Sequence, residues 1–218
     1  MTNRISQFPV LTTDEFKIAS ATLSRRFEQL NSSQSTWLSV NVLREEQCTF
    51  LQILKARPDL NESTTNIHGS AEPLPIEDDD EEEVLQNVRP SSVVITYDVL
   101  LSPSYQVPML YISFIDAQHR YPPTMETLYR YLIPRQFTEQ INSVGIIGGI
   151  TITDHPLTGS PVFFIHPCQT AAVMEASVGN KELTPVEYLM VWIGAMGGCV
   201  GLNIPIALAQ NDDTPCSE

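Results

Sequence analysis

The string PVFFIHPCQT at residues 161–170 places a thiol where a strand has to stop. An apolar run rich in β-branched and aromatic residues ends at His166. Pro167 then removes a ladder donor and turns the chain out of the sheet, so Cys168 falls on the loop beyond the strand. An exposed thiol there suits a sulfur nucleophile, while a small buried hydrophobe is the competing reading of any cysteine. Zinc is a rival, since His155, His166 and Cys168 lie within fourteen positions. No CxxC or HxxxH pair accompanies them, however, and a fourth ligand has to come from Cys48 or Cys199 at arbitrary distance, so neither a metal nor a cofactor is expected. A cysteine hydrolase is the second rival, with His155 or His166 as base and Asp154 or Asp116 as orienter, although nothing in their spacing selects them.

A carrier thiol asks for less. Exchange of a thioester between two cysteines is close to energetically neutral, so loading requires no strong base. Discharge to an amine is harder, because the amine must be neutral and aligned and the developing oxyanion needs donors. Polar side chains beside the thiol then matter more than a catalytic triad.

These residues must be positioned by a chain of 218 residues that is 42% hydrophobic, enough for one domain with a sizeable core. The net charge of −14 argues against nucleic acid and polybasic membrane binding. Seven of the acids form EDDDEEE from Glu77 to Glu83, and without them the charge is −14 + 7 = −7. Residues 57–90 hold this run among prolines and small polar residues and read as a disordered acidic insertion. The four cysteines are widely spaced and the N-terminus has no signal-peptide pattern, which points to a reducing, cytoplasmic setting. Leu189 to Ala209 is an uncharged stretch of twenty-one residues with two GxxxG spacings, through Gly194, Gly197, Gly198 and Gly201. Asn203, Pro205 and the glycines break it, and it has no basic flanks, so a buried helix, a turn and a short second segment are expected rather than a stable membrane insertion.

Residues 12–30 place Phe16, Ala19, Leu23, Phe27 and Leu30 on one helical stripe behind a Thr/Asp cap. TWLSVNVL (36–43) and CTFLQILKA (48–56) read as one hairpin, with Leu38, Val40 and Val42 on a common face. SVVITYDVLL (92–101) and VPMLYISFI (107–115) read as a second, turned by SPSYQ. METLYRYLI (125–133) is a short helix, ITIT (150–153) and PVFFIH (161–166) are short strand candidates, and a helix starts at Thr184 with Pro185 in its first turn. The pattern predicts a single α+β domain over 1–218, with an antiparallel sheet of about four strands and helices at both ends. Cys48 and Cys199 lie inside apolar periodic segments and are expected to be buried.

HPCQT at 166–170 preceded by DHPLTGSPVFFI, YDVLLSPSYQVPMLYISFID at 97–116, and the later WIGAMGGCVGLNIP occur in one order. Together they resemble the ubiquitin-like-conjugating enzymes of autophagy, the family of autophagy-related protein ten, over roughly residues 90 to 210. The resemblance implies a variant ubiquitin-conjugating fold in which Cys168 accepts a ubiquitin-like modifier, autophagy-related protein twelve, from the activating enzyme, autophagy-related protein seven. It implies transfer to a lysine of autophagy-related protein five, without a separate ligase and hence with direct binding of the target. By the same resemblance His166 and Tyr105 lie near the reactive thiol and orient the thioester or the incoming lysine. Ordinary ubiquitin-conjugating enzymes carry His-Pro-Asn before the cysteine, whereas the comparable residues here are His155, Pro156 and Leu157, so the usual oxyanion donor is missing. A catalytically silent binding module of the same fold, with a structural Cys168, is the alternative.

Overall fold

The computed structural model describes residues 4–30, 36–45, 48–58, 92–134, 136–137, 150–179 and 181–210. Residues 59–90 of the expected acidic insertion, with the Glu77–Glu83 run, and Cys216 lie outside the described residues. Arg57 and Pro58 do not belong to that insertion, because the second strand runs on through them.

The sheet has six strands rather than about four. These are β1 (Trp37–Glu45), β2 (Cys48–Pro58), β3 (Ser92–Leu101), β4 (Pro108–Ile115), β5 (Ile150–Asp154) and β6 (Pro161–Ile165). Their order is β1-β2-β3-β4-β6-β5, and every pairing is antiparallel. The first four strands are the expected meander. The short β5–β6 hairpin joins the free edge of β4, and its own apolar face extends the core beyond the meander. One cross-strand row, Val42, Leu51, Val99, Leu110, Ile165 and Ile150, shows the period-two logic. All six face the main core, and a one-residue slip of any strand would turn its share outward. In β1 the expected alternation fails. A register shift between Trp37 and Ser39 leaves Trp37 and Val40 buried three positions apart and Leu38 at 53% exposure.

Helix α1 (Thr13–Glu28) starts with a capping box in which Thr12 and Glu15 satisfy each other's backbone N–H groups. Phe16, Ala19 and Leu23 are buried and Phe27 packs at their edge, the stripe read from the sequence. Helix α2 (Met125–Thr127) continues as a wider turn over Leu128–Leu132. Helix α3 (Thr170–Val178) was not legible in the sequence: its buried stripe is only Thr170, Met174 and Val178, and it opens on a polar residue. Helix α4 (Pro185–Trp192) has the expected Thr184 cap, completed by Glu187, and packs beside α1.

Beyond α4 the long apolar run folds back on itself instead of continuing. It passes through a wide turn at Ile193–Gly197, a tight turn at Gly198–Val200, and the short helix α5 (Ile206–Ala209). Gly201, at φ +77°, supplies the left-handed residue of the reversal. The Leu202 N–H reaches the Gly197 carbonyl at 2.9 Å, and the buried Tyr97 hydroxyl donates to the Val200 carbonyl at 2.9 Å. Among the described residues no helix is long and apolar enough to cross a membrane.

Candidate functional site

Because β4 and β6 pair antiparallel, with Leu110 opposite Ile165, the start of β4 and the end of β6 share one end of the sheet. The β3–β4 turn bearing Tyr105 and the β6 exit bearing His166 and Cys168 are therefore neighbours, although some sixty residues separate them in sequence. The three residues singled out from the sequence come together.

Cys168 is exposed, in a single 3-10 turn, Pro167–Gln169, that leads directly into α3. Pro167 is buried and fixes the turn beneath the thiol. His166 caps it: Nδ1 accepts the Cys168 backbone N–H at 3.1 Å. A nitrogen that accepts carries no proton, so the neutral ring holds its proton on Nε2. The imidazole is flanked by two edge-on rings, Tyr105 at 5.6 Å and Phe164 at 5.9 Å between centroids. Tyr105 is itself 49% exposed, on a turn held by buried Ser102, whose hydroxyl accepts the Tyr105 N–H at 3.2 Å. The Leu11 N–H donates to the Gln106 carbonyl at 2.7 Å, so the segment leading into α1 pins the same turn. The exposed thiol is thus presented by a turn whose capping histidine packs against one half-exposed aromatic ring.

Cys168 also lines a cavity of about 380 Å³ between the β6 exit, α3 and the turn after α4. Gln169 and Val173 come to it from α3 and its entry turn; Gly194, Met196, Gly198 and Cys199 come from the C-terminal run. The sequence flagged these glycines only through their spacing, which suggested helix packing in a membrane. Cys199 and Cys48 are half-buried rather than fully buried. Burial pushes the Cys199 thiol up, and its Sγ lies 3.2 Å from the Met196 carbonyl, so it is a poor nucleophile despite facing the same cavity. Burial also raises Cys48, seconded by the charge of Glu45.

The remaining sequence candidates lie at the far end of the hairpin. His155 opens the β5–β6 turn before Pro161, whereas Cys168 follows Ile165, and the strand between them spans roughly 17 Å at about 3.3 Å per residue. Asp154 ends β5 beside that turn, and Asp116 closes the far end of β4, where it accepts the N–H groups of Gln118 and Tyr121 at 3.1 and 2.9 Å. None of the three can serve the Cys168 thiol as base or orienter, and the zinc set His155–His166–Cys168 is pulled apart in the same way. Among the described residues no three His, Cys, Asp or Glu side chains gather to hold a metal ion.

His155 instead belongs to a polar group on the outer face of the sheet. Its Nδ1 accepts the N–H groups of Leu157 and Thr158 at 3.3 and 3.4 Å, which puts the proton on Nε2. That nitrogen faces Asp98 Oδ2 at 3.5 Å, too long for a good hydrogen bond. Asp98 Oδ1 accepts from Gln52 Nε2 at 2.9 Å, and the Tyr111 ring closes over His155 at 5.1 Å. Burial lowers the His155 pKa although Asp98 opposes it, and burial raises that of Asp98 although Gln52 and His155 oppose it. The His-Pro-Leu turn therefore locks the hairpin onto the sheet, and Leu157 packs with the outer-face cluster of Phe50, Leu100, Tyr111 and Val162.

A family model described as autophagocytosis associated protein, active-site domain, matches residues 15–207. The chain belongs to that family. The matched span of this autophagocytosis-associated domain contains nearly all of α1, the whole sheet, and Cys168 with its cavity. Relatives include the ubiquitin-like-conjugating enzyme ATG10 of Gibberella zeae, 34% identical over 58% of this chain and 53% of that protein. Human ATG10 is 32% identical over 63% of this chain and 61% of its own, and that of Dictyostelium discoideum is 28% identical over 56% of each. The alignments thus span between half and two thirds of the length of these relatives. A crystal structure of the autophagic E2 Atg10 aligns over 86% of this chain and 97% of that chain, with a TM-score of 0.40 and 12% identity.

Proposed function

We propose that the chain is a cysteine-dependent conjugating enzyme. Cys168 takes a ubiquitin-like modifier, autophagy-related protein twelve, from the activating enzyme, autophagy-related protein seven, and passes it to a lysine of autophagy-related protein five. The observation that carries this reading is an exposed cysteine on a histidine-capped turn, inside the span matched by the active-site family. The names of the relatives support the same reaction class.

In the loading step the Cys168 thiolate attacks the thioester carbonyl carbon. A new C–S bond forms, the bond to the donor sulfur breaks, and the donor leaves as a thiolate. Bonds of one kind are exchanged, so no strong base is needed, in keeping with the absence of a triad about the thiol among the described residues. In discharge a neutral lysine amine attacks the same carbon, an amide forms, Cys168 departs as thiolate, and the amine proton passes to it or to solvent. His166 holds the turn, and Tyr105 forms a wall along which the acceptor approaches. The start of α3 lies directly after the thiol, where helix-end N–H groups favour negative charge on the acyl oxygen. A thiol carrier needs reducing surroundings such as the cytosol, consistent with the three described cysteines being unpaired.

The test is reconstitution with the activating enzyme, the modifier and ATP. Wild type forms an adduct that thiol reductant removes, Cys168→Ser forms a reductant-resistant oxyester slowly, and Cys168→Ala forms none. A reductant-sensitive adduct on Cys168→Ala would overturn the reading.

A further inference from the structure

We infer that the cavity beside Cys168 is a specificity pocket for a large apolar side chain on the residue that precedes the thioester-linked C-terminal residue of the modifier. The inference rests on the carrier function proposed above. The cavity is within reach of a chain acylating the thiol, because Cys168 is part of its lining. One residue of extended chain advances about 3.3 Å, so the side chain one position back from the acylated carboxyl falls at the opening.

The chemistry of the cavity selects what enters. Ile150, Ile165, Val173 and Met196 supply apolar walls, and no Asp, Glu, Lys or Arg lines it among the described residues. At about 380 Å³ it lies within the usual range of ligand cavities, roomy enough for an aromatic ring. Its depth comes from missing side chains: a Cβ built on Gly194 meets nothing within 4 Å, and one on Gly198 meets only the Asn203 Oδ1 at 3.8 Å. Cys199 offers no competing charge, since its thiol is held protonated by burial and directed to a backbone carbonyl. His166 and Gln169 are the polar side chains of the lining and no cation pairs a carboxylate there, whereas an indole or isobutyl group gains by leaving water for the apolar walls.

The probes are the acetyl-X-glycine thioesters of mercaptoethanesulfonate, with X = Trp, Leu, Ser or Asp. Each is mixed with the full chain, and acylation of Cys168 is followed by peptide mass mapping. The Cys168 thiolate displaces mercaptoethanesulfonate, which leaves as its thiolate, so no other reagent is required. Trp and Leu donors should acylate about tenfold or more faster than Ser and Asp donors, the gain expected for burying one large apolar side chain. Gly194→Leu, whose side chain has open space to enter, should erase that advantage while iodoacetamide still alkylates Cys168. Val173→Asp at the rim should reduce it as a second, independent variant. Equal rates for all four donors on a wild-type thiol that alkylates readily would overturn the pocket, as would an advantage that survives in both variants. If the donor preference is found but the activating enzyme, modifier and ATP give no adduct, the pocket stands and the carrier reading falls.

Discussion

His166 Nδ1 accepts the backbone N–H of Cys168 at 3.1 Å, so the residue that ends β6 also holds the turn that presents the thiol. The bond needs an acceptor two residues before the cysteine and nothing else of the imidazole. His166→Ala should cost about 1 kcal/mol of stability, as lost caps do, and slow both loading and discharge. His166→Asn keeps an oxygen at nearly the position of Nδ1 and should recover most of the loading rate. Single-turnover thioester formation for the three proteins checks this. If Asn is as slow as Ala, the positioning role assigned to His166 is wrong.

The Tyr105 and His166 rings pack edge to face at 81°, and among the described residues the Tyr105 hydroxyl makes no hydrogen bond. Tyr105→Phe should therefore load and discharge like wild type. Tyr105→Ala should still form the thioester while its consumption by the target slows by up to about 10²-fold, the range that misplacement of a reacting group costs. Pulse-chase measurement separates the two steps, and equal loss of both would indicate a defect in the turn held by Ser102.

How much of this site the sequence shows depends on how local each signal is. Cys168 was legible because Pro167 must end a strand, and the caps at Thr12 and Thr184 because capping boxes are four-residue patterns. Tyr105 and His166 are near each other only because β4 pairs with β6, a long-range fact no local pattern contains. The length of β6, which lies between them, puts His155 out of reach of Cys168, although the two fall within fourteen positions of sequence. Leu38 does not share the buried face of Val40 because a register shift in β1 breaks strict alternation. Helix α3 and the cavity wall escaped notice because small residues carry little periodic hydrophobicity.

The buried His155–Asp98 pair should leave a mark on the pH dependence of stability. Folding lowers the His155 pKa, so between the folded value and the ordinary value of about 6.5 the unfolded chain binds more protons, and stability falls as pH drops through that window. Folding raises the Asp98 pKa, so stability is regained only lower, as pH falls toward the ordinary carboxylate range. His155→Asn preserves an acceptor for Leu157 and Thr158 but cannot titrate. Its urea midpoint should be nearly flat between about pH 7 and 5.5, where wild type declines. A wild-type midpoint that does not decline there would contradict the buried neutral imidazole.

The final prediction concerns three glycines of one apolar run, which the structure uses in three different ways. A Cβ on Gly197 would lie 2.9 Å from the Leu202 carbonyl oxygen and 3.0 Å from the Leu202 Cβ. Neither atom is the end of a flexible chain, so the reversal itself would have to open, and Gly197→Ala should cost about 1–3 kcal/mol, as overpacking does. Gly201→Ala meets no close atom, the nearest being the Leu132 carbonyl oxygen at 3.6 Å, but at φ +77° it carries the left-handed penalty of about 1–2 kcal/mol. Gly194 lies in the wide helical turn Ile193–Gly197, outside the left-handed region and with open space about its Cβ. Gly194→Ala should therefore be neutral or stabilising by about 0.5–1 kcal/mol, because alanine loses less backbone entropy in a helix. Denaturant midpoints should fall in the order Gly194→Ala, wild type, then the other two variants, with unchanged m-values. If the run instead behaved as one continuous helix, all three replacements would stabilise, and a uniform rise in midpoint would refute the folded-back arrangement behind the thiol cavity.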